Sequence, residues 1–265
     1  MCRYRLGQAE NEYLSEDDVF ITAIQSFTKQ MQENSLRTVK EHWAQILTCD
    51  PSEILSDGVT VTQWENGSVE FLVWDGGAVI GAPESLQSPL RQRIGQIPFD
   101  LSGDDARQFV APIMNVEAVL GPQFVGYCDQ AAFDPANSDA QQIKPDRLKP
   151  LRDDCPEDEW TCSAIQLNGV DHSTFAVFRD GQPIAASQIS SAHGVAGFAT
   201  ITHPEYRNSG HGKSVVSRAM EVAFEQNLLP EYRTVEHWSS SVALAEHLGF
   251  ECVARSILVQ LPETE

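Results

Sequence analysis

Thr202-His203-Pro204-Glu205-Tyr206-Arg207-Asn208-Ser209-Gly210-His211-Gly212-Lys213-Ser214 is the stretch whose reading decides the fold of this 265-residue chain. Residues 197–202 before it read as a strand. Residues 213–226 after it place Val215, Val216, Ala219, Met220 and Ala223 on one helical face. A strand that runs through glycines directly into a helix gathers successive main-chain N–H groups at the positive end of the helix dipole, and that arrangement holds a phosphate or pyrophosphate. Glycine suits it because a Cβ would block the approach of backbone to anion and would disfavour the positive φ values of an anion nest. Arg207 and Lys213 flank the turn with positive charge. The turn alone is equally compatible with a plain strand-to-helix connection, so its surroundings must decide.

Gly210-His211-Gly212-Lys213-Ser214 also ends like the nucleotide loop G-x-x-x-x-G-K-[ST]. In that register Arg207 would occupy the first glycine position, and no apolar strand ending in Asp follows the helix to hold Mg²⁺. The nucleotide-loop reading is therefore set aside.

Working outward, residues 173–178 and 184–189 read as two strands joined by the turn Arg179-Asp180-Gly181-Gln182. Beyond Pro230 come a short strand at residues 233–237, a helix at 241–248 stopped by Gly249, and a last strand at 254–261. The N-terminal stretch reads as two helices, one carrying Val19, Phe20, Ile24, Phe27 and Met31 behind a cap at Ser15, the other Leu36, Val39, Trp43 and Ile46. Residues 58–64 and 68–74 are expected to pair as a hairpin through Asn66-Gly67. Helical patterns at 84–94 and 104–114 and a strand at 123–128 follow. Residues 134–149 are rich in Pro, Asp, Gln and Ser without apolar periodicity and are expected to be a linker. The division is thus an α+β unit over 1–133, a linker over 134–149 and a second unit over 150–265.

Taken together, Arg207, Gly210 and Gly212 in the order [RQ]-x-x-G-x-[GA] resemble the coenzyme turn of the GNAT superfamily of N-acetyltransferases. Ser241-Val242-Ala243-Leu244-Ala245-Glu246-His247-Leu248-Gly249-Phe250 is similar to its second motif, N-x-x-S-x-x-L-Y-x-x-L-G-F. The whole layout is similar to a bacterial GNAT subfamily in which an α+β region precedes the acetyltransferase domain. The resemblance implies the GNAT fold, a central mixed sheet with flanking helices. It implies acetyl-CoA as cofactor, held by Ile201, Thr202, Arg207, Asn208, Ser209, Gly210, His211, Gly212, Lys213 and Ser241. Trp238 stands where the family usually has Asn, and Ala245 where many relatives have the Tyr that protonates the departing thiolate.

The reaction so implied is direct transfer to a primary amine of a small molecule or peptide, with the oxyanion stabilised by backbone N–H groups near residues 201–203. An ammonium is no nucleophile, so a base must first take its proton. Glu236 and His237 are the expected catalytic residues, with His203 and Glu205 as rivals. The alternative is a domain that binds acyl-CoA without catalysis, which Ala245 favours. Only residues 151–167, interrupted by Pro156, are available to cover the acceptor site. Residues 1–133 are therefore expected to pack against the second unit, as a divergent GNAT-like half, and to supply part of the acceptor pocket.

Composition bounds these readings. Lys and Arg number 18 against 38 Asp and Glu, a net charge of −20, which repels nucleic acid and welcomes cations; it is equally an adaptation for solubility. The six cysteines, at 2, 49, 128, 155, 162 and 252, form no Cys-x-x-Cys pair and no zinc-like spacing with histidine, so no metal is expected. Residues 1–8 lead into no apolar run, and none of about 18 residues occurs anywhere, so neither leader nor membrane span is expected and the protein is read as cytoplasmic.

Overall fold

The computed structural model describes residues 31–98, 100–168 and 173–262. In chain order the elements are α1 (Glu33–Leu47), β1 (Gly58–Gln63), β2 (Ser68–Trp74), β3 (Gly77–Ala82), α2 (Glu84–Arg91), α3 (Gly103–Val110), β4 (Ala118–Tyr127) and β5 (Gln141–Ile143). They continue with α4 (Lys149–Asp154), α5 (Glu157–Ser163), β6 (Thr174–Arg179), β7 (Gln182–Ala192), β8 (Val195–Thr202), α6 (His211–Glu225), β9 (Leu229–Val235), α7 (Ser239–His247) and β10 (Glu251–Gln260). The architecture is the expected α+β class, one large mixed sheet with helices on both faces. The order is β1-β3-β2-β10-β4-β9-β8-β7-β6-β5, with β1–β3 and β8–β9 parallel and the other pairs antiparallel. The sheet runs unbroken through both halves of the sequence, since β4 lies between β10 and β9.

The helix α1 forms because Val39, Trp43 and Leu47 recur every four residues and bury one stripe against the sheet. Trp43 is its anchor: the ring packs with Val125, Tyr127, Val195 and Leu229, and its indole N–H donates to the Tyr127 hydroxyl at 2.9 Å. Truncating a buried side chain of this size costs about 3–5 kcal/mol. The helix expected over Val19 to Met31 falls, apart from Met31, outside the described residues.

The hairpin expected between residues 58–64 and 68–74 is corrected. Both are strands, but β3 inserts between them, parallel to β1 and antiparallel to β2. All six residues of β3 are buried, so its sequence shows no alternation. Its glycines are required by close approach: a Cβ on Gly77 would lie 2.2 Å from the Ser56 carbonyl oxygen.

Successive strand residues alternate between faces, which sorts the helices. Residues Ala196 and Ala219 share one cluster, so α6 covers the face of even-numbered β8 residues. On the other face α1 packs on Val195, while Leu151 and Trp160, from α4 and α5, pack on Ala186 and Ile201. Residues 134–149 run along α6, where the Ala136 N–H donates to Ser217 Oγ at 2.9 Å and Ser138 Oγ to the Ser214 carbonyl at 2.9 Å, before β5 joins β6. Among the described residues no helix is long and apolar enough to cross a membrane.

Candidate active site

The parallel strands β8 and β9 pair only from Val195 to Gly197 against Leu229 to Glu231 and then part. A cleft of about 880 Å³ occupies the opening, floored by Thr200, Ile201, Thr202 and Tyr232, with α7 on one side and α5 on the other. At its end lies the glycine turn. Asn208 (φ 58°) and Gly210 (φ 82°) are both left-handed, and Gly210 is the N-cap of α6. No side chain caps that helix and no acidic residue sits in its first turn; the first helical bond runs from the Ser214 N–H to the Gly210 carbonyl. The preceding N–H groups are thus left to the cleft, beside the positive end of the dipole. A Cβ on Gly212 would come within 3.2 Å of both Thr202 Oγ1 and Leu244 Cδ1, so that glycine keeps turn, strand and α7 in contact.

Of the residues expected to hold coenzyme, Ile201, Thr202, Arg207, Asn208, Gly210, His211, Gly212, Lys213 and Ser241 all line this cleft, and Ser209, between them in the turn, does not. Arg207 is ion-paired with Glu159 of α5, and its Nε donates to the Thr202 carbonyl at 3.3 Å. The turn is therefore tied to the helix that walls the other side.

His237 and Trp238 line the cleft, and Trp238 is 43% exposed there. Glu236 does not. Its carboxylate is gripped by Arg255, with Nε–Oε1 at 2.5 Å and Nη2–Oε2 at 2.8 Å. His203 accepts from the Glu205 N–H at 3.2 Å and faces Asp154 at 3.9 Å; neither His203 nor Glu205 lines the cleft. Ala245 is fully buried against Tyr232 and Phe250.

Sequence reasoning passed over four residues. Tyr232 reaches the cleft from β9, its hydroxyl 3.1 Å from Ser241 Oγ, and burial raises its pKa so that it stays protonated. Asp158 and Glu159 bring carboxylates from α5. Glu231, one residue before Tyr232, points to the opposite face and is buried. The signal for the last was present: a Glu in the strand Leu229–Val235 is costly unless it is paired or used. Cys252, on β10, is pushed up to about 12 by burial, which removes it as a thiolate nucleophile. Among the described residues no group of three or more His, Cys, Asp or Glu is placed to hold a metal ion.

Residues 137–250 match the model of the acetyltransferase (GNAT) family. No curated protein matches the chain by sequence. Solved structures similar to it include an acetyltransferase assigned to the GNAT family from Novosphingobium aromaticivorans, at 16% identity over 57% of this chain and 68% of that one, TM-score 0.45. An acetyltransferase from the GNAT family of Colwellia psychrerythraea is 14% identical over 60% of this chain and 62% of that one, TM-score 0.44. A GCN5-related N-acetyltransferase from Kribbella flavida is 18% identical over 56% and 60%, TM-score 0.41. The chain thus spans less than two thirds of the last two.

Proposed function

We propose that residues 137–250, which match the model of the acetyltransferase (GNAT) family, form an acetyltransferase domain, and that the chain transfers an acetyl group from acetyl-CoA directly to a primary amine of a small molecule or peptide, in the cytoplasm. The observation that carries this reading is the uncapped N-terminus of α6, with Gly210 and Gly212, opening into the cleft where β8 and β9 part.

In this reading the pyrophosphate of the coenzyme lies on the main-chain N–H groups of residues 208–213, where oriented donors and the dipole substitute for water. Lys213 and Arg207 add charge-assisted contacts, Arg207 by giving up Glu159. The pantetheine arm enters between β8 and β9, and the thioester oxygen meets the N–H of Thr202, on the edge of β8 that faces β9 and that the parting leaves without a strand partner. Tyr232 and Ser241 lie beside the cleft, where the neutral phenol donates a hydrogen bond to the leaving sulfur. His237 lines the same cleft and remains a candidate to relay protons there, whereas Glu236 serves through its ion pair with Arg255 to fix the end of β9. Residues 1–133 form the N-terminal unit, residues 134–149 the linker along α6, and the unit contributes to the acceptor side through α1 and β4.

A domain that binds acyl-CoA without transfer is the second reading, favoured by the fully buried Ala245 where many relatives present a tyrosine. One experiment separates the two: acetyl-CoA-dependent thiol release measured with butylamine, putrescine and glycylglycine, alongside calorimetry of CoA. Amine-dependent release supports transfer. CoA binding without any release supports the binding-only module, and absence of both defeats the assignment.

A further inference from the structure

The face of the sheet opposite α6 holds a second constellation at the same parting of strands. Glu231 is the last β9 residue paired to β8, in register with Gly197, and is 7% exposed. Its Oε1 accepts from the Tyr127 hydroxyl at 2.6 Å and stands 3.8 Å from His42 Nε2. Its Oε2 points toward the bare backbone of Gly197, where an added Cβ would sit 3.9 Å away. Around that point the described residues cover the sheet only in part. Val195 lies under α1 and Ile201 under α5, but Gly197 and Ala199 between them are partly exposed, and Ser190, the partner of Gly197 on β7, is exposed. A strip of small residues in the middle of a sheet, only partly covered by the described residues and bordered by a buried carboxylate, leaves room for a ligand and supplies a group that recognises a cation.

We propose that Glu231 is the catalytic base for the acceptor, and that the strip over Gly197 and Ala199 seats an aliphatic primary amine arriving as its ammonium. The proposal rests on the acetyl-transfer reading and deepens it. The ammonium gives one proton to the Glu231 carboxylate, and the freed lone pair attacks the thioester carbonyl through the opening between β8 and β9. The C–S bond of the adduct then breaks with its electron pair on sulfur. The nitrogen loses its remaining extra proton to that thiolate, giving amide and CoA thiol, and the proton on Glu231 returns to solvent. The groups facing Glu231 suit the step. Tyr127 is held far above its usual range by burial and by Glu231 itself, so it only donates a hydrogen bond. His42 is lowered by burial despite Glu231 beside it, so it is neutral and leaves the carboxylate unneutralised. His193 lies at the rim, its ring 6.0 Å from that of His42. Arg233, two residues along β9, lies over the Trp43 ring and reaches toward Glu70, close enough that its charge acts on both His42 and Tyr127.

The test is steady-state transfer from acetyl-CoA to whichever of butylamine, putrescine and glycylglycine the native chain acetylates fastest, followed from pH 6 to about 10, near where an alkylamine deprotonates unaided. Glu231→Gln keeps the acceptor for Tyr127, so the network is preserved. It should bind CoA normally yet lose about 10²–10⁴-fold in kcat/KM at neutral pH, the range of a general base, with the deficit shrinking as pH rises. A variant within about threefold of native, or a deficit constant across pH, overturns the proposal. Gly197→Val tests the seat itself by filling it, since its φ is ordinary and its Cβ would lie 3.4 Å from Ser190 Oγ and 3.9 Å from Glu231 Oε2. It should raise the amine KM about tenfold or more with acetyl-CoA KM unchanged. Equal change in both constants, or in neither, overturns the seat. If the native chain binds CoA but acetylates no amine, the transfer reading itself falls and takes this one with it.

Discussion

The two faces of the sheet at the β8/β9 parting are assembled in opposite ways. On the α6 side, every group that meets the cleft except those of α5 comes from residues 200–247. On the other side Glu231 meets Tyr127 across 104 positions of sequence and His42 from a helix near the start of the described chain. One face is local and main-chain; the other is long-range and made of side chains. The difference explains why the proposed coenzyme side tolerates an exposed turn, while the proposed acceptor side needs β4 and α1 to bury its carboxylate.

The contrast breaks first under substitutions in the glycine turn. Gly210→Val places a β-branched residue at φ 82°, a strain of about 1–3 kcal/mol, and Gly212→Val drives methyl groups into Thr202 and Leu244. Together they should abolish CoA binding by calorimetry while leaving the tryptophan fluorescence of the folded chain in place. Undiminished affinity would show that the turn is only a connection.

Replacing Lys213 or Arg207 by Ala is expected to weaken CoA by about 1.5–3 kcal/mol each, the worth of a charge-assisted contact. Arg207 should fall at the lower end, because it is partly exposed and must first leave Glu159. A pantetheine fragment without the nucleotide should be bound equally by native and variant. Matching losses for both ligands would place these side chains in the fold rather than on phosphate.

A smaller effect is expected at Tyr232. Removing its hydroxyl as Phe deletes one neutral hydrogen bond in the cleft, about 0.5–1.5 kcal/mol, so kcat should drop several-fold with KM for acetyl-CoA unchanged. A loss of several hundredfold would instead make the phenol the proton donor to the leaving thiolate.

The geometry of the α6 face, proposed for the coenzyme, was legible in the sequence because its elements are adjacent and its demands are local: glycines for φ and clearance, a helix start, a second helix ended by Gly249. The strand–helix order from β6 to β10 was legible for the same reason. The opposite face, around Glu231, was not. Trp43 and Val39 announced a helix, but nothing in their spacing says that it lies over β8 and β9. The insertion of β3 between β1 and β2 was hidden by its small, wholly buried residues, which show no period of two. The first part of β4 was masked by Gly121-Pro122, a pair that usually marks a turn, so only its end stood out, read as a strand over residues 123–128. Glu236 looked as eligible as Glu231 by composition, and only tertiary structure shows one bound to Arg255 and the other at the vertex of the opening.

The measurement closest to the central claim is amide hydrogen exchange over residues 190–247 with and without CoA. The N–H groups of residues 208–213 lie in an exposed turn and an uncapped first helical turn, so they exchange readily in the free chain. Saturating CoA should slow them by about tenfold or more, with smaller protection at Ile201–Thr202 and Ser241 and none at Ser190 or Gly197. Protection confined to the Gly197 face, or unchanged exchange at residues 208–213 under saturating CoA, would contradict the account.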